Sequence, residues 1–495
     1  MKTAIYFKAV VVIVLCAILL PTGAWATAYY WDNDGTTAGF GTANGVWENP
    51  TPGGTIGWST SSTGVAAPGS ITTLISDTVN FGSTTAGLLA GTITVSGTVT
   101  NGGMTFASGS GAITLNGGTI TNASPLTITC NNTAYTNVIG SSLAGAAFEK
   151  AGAGALTLSG VNTINGAITV AAGILNLNNS SLQTFSGVVT LRTATLNING
   201  SNTLNNQLSV AGGAYTGEVN VVNGGILTTR NKVFIGQNNS AAIGTLNIFS
   251  NGTVISENYT FIIGNAFDNI TAKGILNMET GSVFTVNPAA GTTLCIANGS
   301  TTTGTLNLNG GLLTTSRNIT SGATASPGNS IINFNGATLK AGAAFTMSGL
   351  TRANVRNGGA IIDSTGGTVT MTQALLHSDI TDDAATDGGL TKLGTGTLIL
   401  SGTNTYTGAT VAQAGVLELS RTNALSSATA LDIRSGAEVR LSFTGTNVVY
   451  SLTVNGITKS RGVYAAGSVA GLTGTAGAYL QTLQPPPRGT MVRFF

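Results

Sequence analysis

The densest group of reactive side chains in this sequence runs from His377 to Asp387, in the stretch HSDITDDAATD. It holds the one histidine of the chain and four of its 17 acidic residues, Asp379, Asp382, Asp383 and Asp387. Carboxylates this close in sequence suit a hard cation such as calcium, which makes Asp379, Asp382 and Asp383 candidate metal ligands. A histidine among acids also suits general acid–base work. A plainer reading outweighs both: polar DD and DG sequences are ordinary turn chemistry, and this one leads into Gly388-Gly389-Leu390. On that reading the chain has no assigned catalytic residue and no metal.

A second group is aromatic. Trp31, Trp47 and Trp58 lie near the start, and no tryptophan follows them. An indole face can stack on a sugar ring, so these three are the candidate ligand-binding residues. The competing and preferred reading is that they pack an N-terminal cap.

Most other chemistries are excluded. One histidine rules out HExxH and histidine-rich zinc sites, and there is no CxxC and no P-loop. Gly152-Ala153-Gly154 lacks the Rossmann pattern and recurs as Gly394-Thr395-Gly396. The calcium nonapeptide GGxGxDxUx is absent. Glycoside hydrolysis needs two facing carboxylates, which only folding could bring together, for instance Asp363 with Asp379. No cofactor is expected.

The elements that would position these residues are strands. Of 495 residues, 70 are glycine and only 7% are charged, with Ser, Thr and Asn supplying most of the polarity. Short alternating runs such as Ala112-Ile113-Thr114-Leu115, closed by Asn116-Gly117-Gly118, read as an all-β chain. The beginning reads as an export signal: Lys2 and Lys8, an apolar run from Ala9 to Leu20, and Ala24-Trp25-Ala26 as the cleavage site. Its removal takes the basic count from 19 to 17 (19 − 2 = 17), equal to the acidic count, so no positive footprint for nucleic acid remains. Cys130 and Cys295 read as separate buried residues rather than a disulfide.

Two internal periodicities organise the strands. KAGAGALTLSGVNTINGAITVAAGILNL (Lys150 to Leu177) aligns without a gap to KLGTGTLILSGTNTYTGATVAQAGVLEL (Lys392 to Leu419). Between them, Gly244-Thr245-Leu246-Asn247-Ile248, Gly274-Ile275-Leu276-Asn277-Met278 and Gly304-Thr305-Leu306-Asn307-Leu308 recur every 30 residues (274 − 244 = 30; 304 − 274 = 30), with Gly217-Glu218-Val219-Asn220-Val221 as a looser member. Even spacing without helical patterning predicts a parallel β-solenoid of stacked coils, on the order of 70 to 100 Å long. Leu246, Leu276 and Leu306 should form one interior column. Asn247, Asn277 and Asn307 should either alternate outward or join in a hydrogen-bonded ladder.

The Lys150 and Lys392 blocks resemble the autotransporter-associated β-strand repeat, and the GTLNI, GILNM and GTLNL series is similar to a repeat of type V secreted passengers and of sorting-tagged exported proteins. The resemblance implies a bacterial, exported, right-handed parallel β-helix, of a kind often presumed to be a surface adhesin, with no general catalytic motif. The residues after Leu441 are too few for a membrane barrel, and PPPRGTMVRFF has neither the apolar helix nor the basic end of a sorting tag. The expected organisation is therefore a signal peptide (1–26), an N-terminal β cap (27–100), a parallel β-helix (101–420, with repeats at 150–177, 217–315 and 392–419), a C-terminal β module (421–484) and a disordered tail (485–495). The expected function is non-enzymatic adhesion or matrix structure at the cell surface or outside the cell, through Thr/Asn-rich faces that meet glycans, matrix or other surface molecules. A polysaccharide lyase or hydrolase and a self-assembling fibre are the alternatives.

Overall fold

Runs of four to seven residues alternate between an apolar side chain and a small polar one. Such a run satisfies its backbone only by pairing with a neighbour, and buries one face only by stacking. Lys273–Glu279 shows the result: Gly274, Leu276 and Met278 are buried, while the residues between them are not. The computed structural model describes residues 26–484, apart from 123–124, 238, 240, 258, 267–270, 289–291 and 323–328. The expected signal peptide and tail thus lie outside the described residues, except Ala26.

The fold is an all-β parallel solenoid, with no helix among the described residues. Each middle coil has three strands, one in each of three sheets. In one coil these are Ile243–Ile248 (first sheet), Thr253–Ser256 (second) and Phe261–Asn265 (third). They pair in parallel with Lys273–Glu279, Val283–Val286 and Leu294–Asn298 of the next coil. In two coils the chain turns from the third sheet into the first without a break, as the ten-residue strands Ile168–Leu177 and Val189–Ile198. The third sheet runs through seventeen successive parallel pairings, from Ala28–Asp32 to Leu472–Gly474. At the usual strand spacing that stack is about 80 Å long.

The columns follow this register. Leu246, Leu276 and Leu306 are direct partners and fully buried. Ile235, Ile263 and Ile296 form another buried column in the third sheet. The 30-residue period holds only in the middle. Along the column Leu177, Ile198, Val221, Ile248, Met278, Leu308, Phe334, Val355 the steps are 21, 23, 27, 30, 30, 26 and 21 residues. Strand pairing holds the register while the connections between strands absorb the difference.

Parallel pairing continues across residue 100, where Thr78–Phe81 pairs with Gly103–Phe106. Among the described strands, antiparallel pairing occurs only toward the two ends. Ala28–Asp32 pairs with Gly57–Ser59, Ser451–Val454 with Ile457–Thr458, and Val463–Ala465 with Ala478–Thr482. A strand that turns back on itself covers an edge that further coils would otherwise occupy. Cys130 and Cys295 are both buried free thiols.

Candidate functional surfaces and the repeat corners

The first sheet carries the most regular polar feature. An asparagine recurs in every strand from Ile168–Leu177 to Arg352–Val355, each flanked by inward residues. The side-chain amides of these asparagines are linked head to tail. Asn197 Nδ2 donates to Asn176 Oδ1 (2.8 Å), Asn220 to Asn197 (3.0 Å), Asn247 to Asn220 (2.8 Å) and Asn277 to Asn247 (2.7 Å). Asn307 then donates to Asn277 (2.7 Å), Asn333 to Asn307 (2.7 Å) and Asn354 to Asn333 (2.8 Å). At the first rung Asn176 donates to Thr157 Oγ1, and at the last Arg352 Nε donates to Asn354 Oδ1. The two readings of these asparagines are both correct: they alternate outward and still form a ladder, with no bend in the strand. Each amide has two N–H groups and two acceptor lone pairs, so a rung that spends one of each keeps hydrogen-bonding capacity to spare. Asn247 is different, since it also donates to Glu218 Oε1 at 2.7 Å and so spends both N–H groups.

The two long repeats form matching corners around a buried lysine. Lys150 and Lys392 are both fully buried. Lys150 Nζ donates to the carbonyls of Ala151 (3.0 Å), Gly152 (2.8 Å) and Ala172 (3.0 Å). Lys392 Nζ donates to those of Leu393 (2.9 Å), Gly394 (2.7 Å) and Ala414 (2.9 Å). Three carbonyls meet all three donors of an ammonium, and one of the three comes from the following coil. Burial lowers the pKa of both lysines, that of Lys392 to about 8. The closing glycines fit this corner: Gly415 has φ +65°, and a Cβ there would lie 2.5 Å from the carbonyl oxygens of Gly394 and Gly396. The corners differ in place. Phe148–Ala151 belongs to the third sheet and Ala155–Leu158 to the first, whereas Leu390–Leu393 belongs to the second and Thr397–Leu400 to the third.

The structure draws the acidic stretch into ion pairs. Asp383 takes both arms of Arg356, at 2.8 and 2.9 Å, and a hydrogen bond from Ser378. Arg356 is the main reason its carboxyl stays below the usual range. Asp379 meets Arg352 at 3.0 Å, and Asp382 is an exposed turn residue with φ +73°. Among the described residues no three His, Cys, Asp or Glu side chains are grouped to hold a metal ion. Two of the three candidate carboxylates, Asp379 and Asp383, thus already have arginine partners.

His377 Nδ1 lies 3.0 Å from Asp387, which is buried. Burial pushes the Asp387 carboxyl up, but His377 and the backbone N–H groups of Thr407, Gly408 and Gly389 outweigh it and hold it low. Ser378, the neighbouring hydroxyl, turns to Asp383. The His–Asp pair thus fastens a turn, and no nucleophile is aligned with it by Ser378. Asp363 Oδ1 accepts from the N–H and hydroxyl of Thr365, and Asp379 pairs with Arg352.

Trp31, Trp47 and Trp58 are brought together, but inward. Trp31 and Trp58 are 5.0 Å apart and Trp47 and Trp58 5.1 Å, both edge to face. All three are buried, and the cluster continues into Phe81 and Phe106. The sugar-stacking reading is corrected by this packing, because no indole face is left for a ring to stack on. Two open concavities are lined mostly by residues with polar side chains. One, of about 160 Å³, is lined by Tyr30, Asn80, Thr105 and Asn131 among others. Another, of about 390 Å³, is lined by Thr190, Gln207, Ser209, Gly212, Gly213 and Gln237.

The stack of parallel coils builds the same lysine corner twice, and in this the chain is similar to autotransporter passenger repeats. Comparison with known proteins agrees: residues 148–177 and 390–419 match the passenger-associated-transport-repeat. Over 249 residues the chain is 30% identical to the adhesin BmaC autotransporter of Brucella suis biovar 1 (strain 1330). That alignment covers 48% of this chain but only 7% of the relative. No solved structure matches the chain.

Proposed function

We propose that the chain is an exported, non-enzymatic element of a bacterial surface, adhesin-like in role, which meets glycans or neighbouring surface molecules through its repetitive polar faces. The observation that carries this reading is the eight-rung asparagine ladder of the first sheet. Its six rungs from Asn176 to Asn307 are half-buried and present their spare amide capacity at the strand spacing, beside outward threonines such as Thr195, Thr245 and Thr305, while Asn333 and Asn354 are buried. Sugar hydroxyls pair readily with such amides, each contact is weak, and a regular array makes many at once. The similarity to an adhesin over 249 residues supports the role, and the expected leader supports the route. The acids near His377 already spend their charge on Arg352, Arg356 and His377, which favours binding over catalysis.

The test is a glycan and extracellular-matrix array probed with the mature chain, first as monomer and then displayed on beads. Retention on a defined set of glycans, far stronger on beads than in solution, is the expected result. No retention on glycans, matrix or host cells in either format would remove the proposal. Release of reducing ends from a bound polysaccharide would replace it with an enzyme.

A further inference from the structure

We propose that Asp32 and Asp34 hold a divalent hard cation, with calcium as the physiological occupant, at the N-terminal end of the solenoid. The sequence Asp32-Asn33-Asp34-Gly35 places two carboxylates on alternate residues ahead of a glycine, which has φ +75° and turns the chain. Calcium loops open with this spacing because it lets two carboxylates converge on one point.

The geometry adds an observation that the sequence could not supply. The Asp32 side chain is fully buried, and its Oδ1 accepts the backbone N–H of Asp34 at 3.0 Å. Its second oxygen, Oδ2, is buried with no hydrogen-bond partner, and so is Oδ1 of Asp34. The Asp34 carboxylate lies close against that of Asp32. Neither takes part in an ion pair among the described residues. A buried carboxylate and a half-buried one side by side, each with a shielded and unspent oxygen, need either a shared proton or a cation.

The surrounding loop is already shaped. Asn33 N donates to the Phe40 carbonyl, and Asn33 Nδ2 reaches Thr42 O and Oγ1. The donor set is oxygen only, which suits calcium or magnesium over zinc or copper. Main-chain carbonyls and water would complete the six to eight oxygens that calcium takes. The occupant would tie the turn after the first strand to the end of the solenoid, beside the buried Trp31. Extracellular calcium modules typically bind at about 10⁻⁴ to 10⁻³ M.

The test uses terbium as a probe for the calcium site, in the intact mature chain. Trp31 precedes Asp32 and packs on Trp58, so tryptophan excitation should sensitise terbium emission. Calcium should displace it with a midpoint of about 10⁻⁴ to 10⁻³ M. Asp34→Asn should abolish the emission while near-ultraviolet dichroism of the tryptophans persists, and Asp379→Asn should leave it unchanged. Absence of sensitised emission, or emission indifferent to Asp34→Asn, would overturn the proposal and leave a proton between the two carboxylates. If Asp34→Asn does not fold, limited proteolysis of the wild type decides. Calcium should protect the 33–41 loop relative to EDTA, and equal cleavage would overturn the site.

Discussion

Lys150 and Lys392 hold their ammonium groups in matching three-carbonyl cages at two different corners of the solenoid. Because one carbonyl in each cage comes from the next coil, each lysine adds a side-chain tie between two coils just past the paired residues Lys150 with Val170 and Lys392 with Ala412. Lys392→Met keeps the stem and removes all three donors. It should cost about 3 kcal/mol or more locally, since three buried carbonyls lose their partner. Hydrogen exchange is the appropriate measurement in a repeat array. The amide of Val416, which donates to Gly396 O, should exchange faster in the variant.

The same lysine gives a pH dependence with a definite sign. Burial brings Lys392 from 10.5 down to about 8, with the Asp363 carboxylate opposing it. The unfolded chain therefore holds this proton more tightly between about pH 8 and 10.5. The penalty for burying the charge is borne in full below about pH 8 and fades as pH rises to 10.5. Urea midpoints at pH 7.5 and 9.5 should show the wild type gaining on Lys392→Met. An unchanged difference would mean that the cage keeps the ammonium charged throughout.

The asparagine ladder should be sensitive in its interior. Asn277 donates to Asn247 and accepts from Asn307, so Asn277→Ala should cost about 1 to 2 kcal/mol. Asn277→Asp should cost more at pH 7 than at pH 3. A carboxylate there faces the Asn247 oxygen without a donor, whereas the protonated acid can donate. Urea melts of both variants at the two pH values check this.

Asp387 anchors the turn that follows His377. Its carboxylate receives the backbone N–H groups of Thr407 (2.7 Å), Gly408 (2.8 Å) and Gly389 (3.0 Å) as well as His377. Its folded pKa lies below 3.8, so its stabilisation is present above that value and is lost as pH falls through the lower, folded one. Asp387→Asn should cost about 2 to 4 kcal/mol at neutral pH and remove this part of the acid loss. Acid titration of the two proteins, followed by dichroism, measures both effects.

The architecture was legible from the sequence because alternation and repeat spacing are backbone matters. The Leu246 column and the Asn247 rungs follow from a period that is regular where it was read. The full ladder was harder to see, since its outer rungs come at 21 to 27 residues and the period breaks down. The signal that would have found them is an asparagine between two inward residues, as in Leu175-Asn176-Leu177 and Ile332-Asn333-Phe334. The lysine cages were not legible, because a lysine beside glycines reads equally well as an exposed turn. Nor was the shift of the second repeat by one corner: the block fixes its own local turn and says nothing about which sheets it joins. The roles of Trp58 and Asp383 depended on contacts with Trp31 and Arg356, which lie 27 residues away in each case (58 − 31 = 27; 383 − 356 = 27).

Every amide in the ladder points the same way, each Nδ2 toward the oxygen of the preceding coil. The row therefore has a polarity, like a chain of small magnets laid end to end. Its oxygen-terminated end is met by the guanidinium of Arg352, much as a cation settles at the carboxyl end of a helix. Turning one amide over would set donor against donor on one side and acceptor against acceptor on the other. The eight side chains must keep their sense together or reverse together, so the cation at Arg352 and the Glu218 carboxylate, which accepts from Asn247, favour the same direction for a row seven coil spacings long.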